Sequence, residues 1–213
     1  MTALDPFFAS YFRLRPVNAT FTGVHTYDHL LPDWSPDGLD AAADEMHALR
    51  KALIDGRGPA ASRPTTLRDV GARDRELAIS FLDIQLGEDA TTHFQRGNPS
   101  LALGEAAFGV VSLITRDFAD ASARADALQA RLEALAAFLS GARQSIRGPV
   151  PDEWRAKSLR ECVGVDILLG DGISKWIALE SLDAARAGRL SLAAASARAG
   201  LEDYRHWLST PSP

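Results

Sequence analysis

The stretch LQARLEALAAFLSGARQSI, residues 128–146, decides the fold class of this chain. Leu128, Leu132, Leu135, Leu139, Ala142 and Ile146 recur at spacings of 4, 3, 4, 3 and 4. That period lines one face of an α-helix, whereas a half-buried strand would alternate every second residue. Asp126, Gln129, Glu133, Ser140 and Gln144 fall on the other face. The reading is an amphipathic helix over 122–146, closed by Gly148-Pro149-Val150-Pro151.

Just upstream, residues 100–115 are apolar nearly all round, with Leu101, Leu103, Phe108, Val110, Val111, Leu113 and Ile114. A helix without a polar face is buried on several sides, so 100–115 and 122–146 are expected at the centre. Gly97-Asn98-Pro99 separates this pair from a long helix starting near Thr66, whose expected buried stripe is Val70, Leu77, Phe81 and Ile84. Ser35-Pro36 opens an earlier helix with Leu39, Ala43, Met46 and Leu53, Ser as N-cap and Pro in the first turn. Residues 56–65 read as a linker rich in Gly, Pro, Ala and Ser. Asp5-Pro6 starts a short aromatic helix through Phe7, Phe8, Tyr11 and Phe12, which Pro16 ends. Residues 17–33 read as an ordered, irregular loop.

Downstream, Pro151-Asp152-Glu153 starts a helix with Trp154, Leu159, Val163, Ile167 and Leu168 as its apolar face. It continues past Gly170-Asp171-Gly172 toward Ala187. Gly188 and Ser191 then set off a last helix with Leu190, Ala194, Ala197, Leu201, Tyr204 and Leu208. No strand pattern and no fixed repeat appears. The expected fold is all-α: one domain over 1–213, a bundle of six to eight long, mostly antiparallel helices with an ordered N-terminal loop.

Composition narrows the function classes. Lys and Arg total 23 against 28 Asp and Glu, a net charge of −5, which argues against a nucleic-acid partner. Arg outnumbers Lys by 20 to 3, which reads as high-GC codon usage rather than a binding surface. Cys162 is the single cysteine, so no internal disulfide framework or Cys-rich zinc site exists, and its apolar neighbours predict an inert thiol. No run approaches the roughly 18 apolar residues of a membrane helix. Met1 to Ser10 lacks the basic n-region of a signal peptide, so the expected location is cytoplasmic.

The chemistry-bearing residues are few. No His-Glu-x-x-His zinc motif, nucleophile elbow or phosphate loop is present. His25 and His29 are spaced i, i+4 with Asp28 between them, but they lie in the irregular stretch, where a polar cluster fixing the loop is the favoured reading. Arg13, Arg15, Asn18, Thr20, His25, Tyr27 and Asp28 make this loop more polar than a connector needs. Polar groups in an ordered loop are better functional candidates than polar helix faces.

These residues also carry a family resemblance. The segments YFRLRPVNAT (11–20), GVHTYD (23–28) and LPD (31–33) follow a P-x-x-A-T-x-x-G-x-H-x-Y-D pattern. The chain resembles the N-terminal part of the bacterial domain-of-unknown-function family 885, whose members look like zinc metallopeptidases of the gluzincin type. Asn98-Pro99, Ala130-Arg131-Leu132 with Phe138-Leu139, and Tyr204 through Trp207-Leu208 match later family steps, Ala137 departing from an expected Pro. The resemblance implies zinc for full-length members, held by a His-Glu pair and a Pro-Gly-His step that this chain lacks. No catalytic or metal-ligating residue is therefore carried over. His25, Tyr27 and Asp28 remain as substrate-cleft candidates.

The expected function is an N-terminal helical domain of a metallopeptidase-like protein, forming one wall of a substrate cleft and inactive alone. Its expected partner is the missing C-terminal catalytic portion, and an uncovered apolar face would favour self-association. The alternative is a stand-alone helical module that binds a peptide or protein in a groove. A third reading is a small enzyme using His25 and Asp28 as an acid–base pair.

Overall fold

A computed structural model describes residues 4–56 and 70–210. Among them the chain is helical throughout, with no strand: α1 (Asp5–Leu14), α2 (Pro16–Thr22), α3 (Pro36–Asp55), α4 (Val70–Asp89), α5 (Pro99–Ile114), α6 (Ala121–Gln144), α7 (Asp152–Ile167), α8 (Ile173–Leu179) and α9 (Ala184–Ser209). A π-helical turn, Leu168–Gly172, joins α7 to α8 without a break. Counted as one helix, that pair brings the described total to eight. Most of the expected 56–65 linker and the expected start of α4 lie outside the described residues.

Local signals explain most boundaries. The Ser35 hydroxyl accepts the Gly38 N–H at 3.1 Å and caps α3. The Asn98 side chain accepts the Ser100 N–H at 3.1 Å and caps α5. The α6 stripe is buried from Leu128 through Leu132, Leu135 and Leu139 to Ala142, while Ile146 lies past the end of the helix and is half-buried. A second face of α6 is buried too, through Arg124, Arg131 and Phe138.

Two apolar clusters result. The larger gathers α5, α6, α7, α8 and α9, with α6 and α9 in the most extensive contact. The smaller joins Phe7 of α1, Met46 and Leu53 of α3, and Ala78, Ile79 and Leu82 of α4. Helix α2 packs on α5 beside the larger cluster. Arginines with almost no exposure hold several junctions. Arg96 pairs with Asp89 at 2.9 Å and Asp40 at 2.7 Å. Arg124 pairs with Glu180 at 2.9 Å and Asp117 at 3.0 Å. The excess of Arg over Lys therefore has a structural use.

Four expectations need correction. Residues 16–22 are a helix, not loop. Pro16 supplies a helical φ at the first position. Gly23 ends the helix with a φ of +95°, a left-handed conformation that favours glycine. The Thr22 hydroxyl bonds back to the Asn18 carbonyl at 2.9 Å, which satisfies it within the helix. Helix α4 buries Ala78, Ile79 and Leu82; of the expected stripe, Phe81 is half-buried, Leu77 and Ile84 are 62 % and 59 % exposed, and the Val70 side chain lies outside the described residues. Its apolar residues lie on two faces, and the α3 contact selects the other one. On α7 the buried line is Ser158, Cys162 and Val165, continuing to Leu169, Ile173 and Trp176, while Val163 and Ile167 are exposed. Finally, the last break falls at 180–183, where Ser181 takes a positive φ of 51° and Asp183 caps α9 by accepting the Arg186 N–H at 2.8 Å. Gly188 and Ser191 lie inside α9.

The α6–α9 contact is close enough to invert the usual effect of a helical glycine. A Cβ on Gly200 would come within 2.5 Å of the Ala136 Cβ, whereas one on Gly188 would meet nothing within 4 Å. Gly188→Ala is expected to stabilise the fold by about 0.5–1 kcal/mol. Gly200→Ala is expected to destabilise it by about 1–3 kcal/mol, because backbone and a short side chain must move. Denaturant unfolding of the two variants checks this pair of opposite signs.

Candidate functional site

The N-terminal polar residues converge on one side chain, Arg131 of α6. The residue is 1 % exposed. Nε donates to the Leu30 carbonyl at 3.0 Å. Nη1 donates to the Gly109 carbonyl at 2.7 Å and the Ser112 hydroxyl at 3.1 Å. Nη2 donates to the Thr20 hydroxyl at 2.7 Å and, more weakly, to the Pro16 carbonyl at 3.4 Å. Every one of these acceptors is neutral. Balancing charge comes one step further out, where Thr20 donates to Asp28 at 2.6 Å.

His25, Tyr27 and Asp28 sit on a single 3₁₀ turn and its edge. Asp28 is buried between Thr20 and His25, whose Nδ1 lies 3.0 Å from Asp28 Oδ2. The His25 ring stacks on Phe118 at 4.0 Å, nearly parallel. Tyr27 is half-buried, and its carbonyl accepts the Leu30 N–H at 3.0 Å. The structure thus joins His25 to Asp28. His29 is exposed on the same loop. Cys162 is buried, and burial pushes its thiol up to about 11, as expected of an inert cysteine.

A polar cleft is formed a few residues further on. It encloses about 450 Å³ between the 30–34 segment, the end of α1, α3 and the end of α4. Trp34, Leu39 and Met46 give it an apolar wall. Arg13, Arg15, Glu45, Gln85, Glu88 and Asp89 give it charge and hydrogen-bonding groups of both signs. Arg13 pairs with Glu45 across the α1–α3 junction. His25, Tyr27 and Asp28 do not line this cleft, but the same loop contributes Leu30, Leu31, Pro32, Asp33 and Trp34 to it. Sequence reasoning included Arg13 and Arg15 in the polar loop and missed Gln85 and Glu88. Those two sit on α4, whose pairing partner is fixed only by tertiary packing.

Among the described residues, no group of three or more His, Cys, Asp or Glu side chains could hold a metal ion. Among the described residues, His25 and Asp28 form a close His–carboxylate pair.

With this geometry in place, the chain can be placed among known proteins. It is an all-helical domain with a polar cleft beside a buried arginine hub. Residues 16–211 match the family model described as bacterial protein of unknown function (DUF885), and the chain belongs to that family. A solved structure of a candidate lipoprotein of unknown function from Shewanella oneidensis has a similar fold, with a TM-score of 0.80 and 19% sequence identity. The likeness covers 97% of this chain and 36% of that one. No curated protein matches the chain.

Glu105 of α5 lies near Arg131 and Arg15. Burial raises its carboxyl from 4.5 to about 7, against the opposing pull of the two arginines. A carboxyl with a raised folded pKa binds more protons folded than unfolded between those values. This group's contribution to stability is therefore full below about pH 4.5 and falls as pH rises toward 7. Glu105→Gln is expected to flatten that part of the stability–pH curve and to raise stability relative to the parent at pH 8. Urea unfolding between pH 4 and 8 measures the difference.

Proposed function

We propose that this domain forms one wall of a substrate cleft in a metallopeptidase-like protein and does not hydrolyse peptides by itself. The observation that carries this reading is the mixed-charge cleft beside the 30–34 segment. A concave site with an apolar wall and a few convergent polar groups suits a peptide-like ligand. Family membership and the greater length of the structurally similar lipoprotein, of which this chain matches 36%, support its place in a larger protein.

An apolar groove gives further support. Phe7, Phe8 and Tyr11 of α1 and Leu77, Phe81 and Ile84 of α4 line about 660 Å³ of open, largely apolar surface. Such a face suits packing against further chain, and it favours this reading over a self-sufficient binding module. Self-association of the isolated chain through the same groove belongs to this reading.

The test is an NMR titration of the isotope-labelled chain with tetra-alanine, with chromatography of the peptide before and after. Expected are shifts confined to cleft groups, among them the Trp34 indole and the Gln85 side-chain amide, with the peptide intact. Cleavage by this chain alone, or shifts that avoid the cleft, would overturn the reading.

A further inference from the structure

Arg15 stands at the α1–α2 corner with an unusual set of neighbours. Its guanidinium carbon lies 5.1 Å from the Tyr11 ring centre and 5.2 Å from that of Phe81. Two aromatic rings thus fix its plane and take its apolar contact. The Tyr11 hydroxyl is itself held by the Asn18 amide at 3.2 Å. Arg15 donates through Nη2 to the Gln85 oxygen. Gln85 in turn donates from its amide nitrogen to Glu88 Oε2 at 2.7 Å. This orientation of the amide is the one the chemistry requires, since a guanidinium cannot accept a hydrogen bond.

Glutamine therefore holds a cation and an anion apart at the wall of one cleft. Arg15, Gln85 and Glu88 all line it. A purely structural link between the α1–α2 corner and α4 would be served by a direct Arg–Glu pair. Here each charged group keeps open valences instead. A guanidinium has five N–H donors, and a single hydrogen bond leaves its fork free for a carboxylate. Burial also lowers the Arg15 pKa, opposed by Tyr11, Glu88 and Glu105. An anion brought into the cleft would supply the missing close partner.

We propose that the cleft takes a small zwitterion, an amino acid or short peptide with free termini, its carboxylate on Arg15 and its ammonium on Glu88. The Arg15–Gln85–Glu88 arrangement is the recognition element, and Trp34, Leu39 and Met46 supply the apolar lining of the same cleft. The inference rests on the cleft reading above and specifies its ligand class.

Calorimetric titration of the full chain tests it with four probes: tetra-alanine, its C-terminal amide, its N-acetyl form, and free alanine. Loss of either terminal charge is expected to weaken binding at least about tenfold. In Arg15→Gln, acid and amide forms bind alike. In Glu88→Gln, free and acetylated forms bind alike. Free alanine binding as tightly as tetra-alanine assigns the site to amino acids, and weaker binding assigns it to peptides; both support a zwitterion. Equal binding of tetra-alanine and its two capped forms overturns the zwitterion while leaving the cleft reading standing. Absence of binding by every probe overturns both. The comparison of capped and uncapped probes uses the unsubstituted chain, so it holds even where Arg15→Gln unfolds the corner.

Discussion

A guanidinium taken out of water must find acceptors for its N–H groups, and Arg131 finds them on three separate parts of the chain. Helix α2 offers the Thr20 hydroxyl and the Pro16 carbonyl, the following loop offers the Leu30 carbonyl, and α5 offers Gly109 and Ser112. An unsatisfied buried donor costs about 1–3 kcal/mol, so each of these segments is held to its place relative to α6. Gly109 lets the segments close in: a Cβ there would lie 3.0 Å from Leu31 and 3.5 Å from Val17. Among the described residues the cation has no carboxylate in direct contact. Burial pulls its pKa down to about 10, and Asp28 and Glu105 oppose that from further out.

This hub positions the cleft without belonging to it. Leu30, whose carbonyl is tied to Arg131, begins the 30–34 segment that lines one side. The opposite side comes from α3 and α4, which belong to the separate small apolar cluster. The cleft therefore lies where two cores meet. Arg13 reaches Glu45 of α3, and Arg15 reaches Gln85 of α4. His25 and Asp28 act on the other side of the hub, steadying Thr20 and stacking on Phe118.

The sequence was most legible where one face alone is apolar. The 4,3,4,3,4 stripe of α6 has a single solution, and the structure buries it from Leu128 to Ala142. Helices α4 and α7 carry apolar residues on two faces, so periodicity could not say which face meets a neighbour, and Leu77, Ile84, Val163 and Ile167 emerged exposed. The second buried face of α6 was hidden because arginine does not read as core. The family pattern was legible as a pattern, but its physical content needed the fold. Pro16, Thr20 and Arg131 turn out to be members of one network, Gly23 a left-handed helix end, and Tyr204 a donor to the Pro99 carbonyl at 3.0 Å. The cleft was half legible: the loop residues announced themselves, while Gln85 and Glu88 depend on how α4 docks.

A double-mutant cycle between Arg131→Met and Thr20→Val, measured by denaturant unfolding, tests the central role of the hub most directly. Thr20 links the buried guanidinium to Asp28, so the two substitutions should not add. The account predicts a coupling energy above about 1 kcal/mol. Simple additivity, with a coupling within about 0.3 kcal/mol of zero, would contradict it and leave Arg131 as one packed side chain among many.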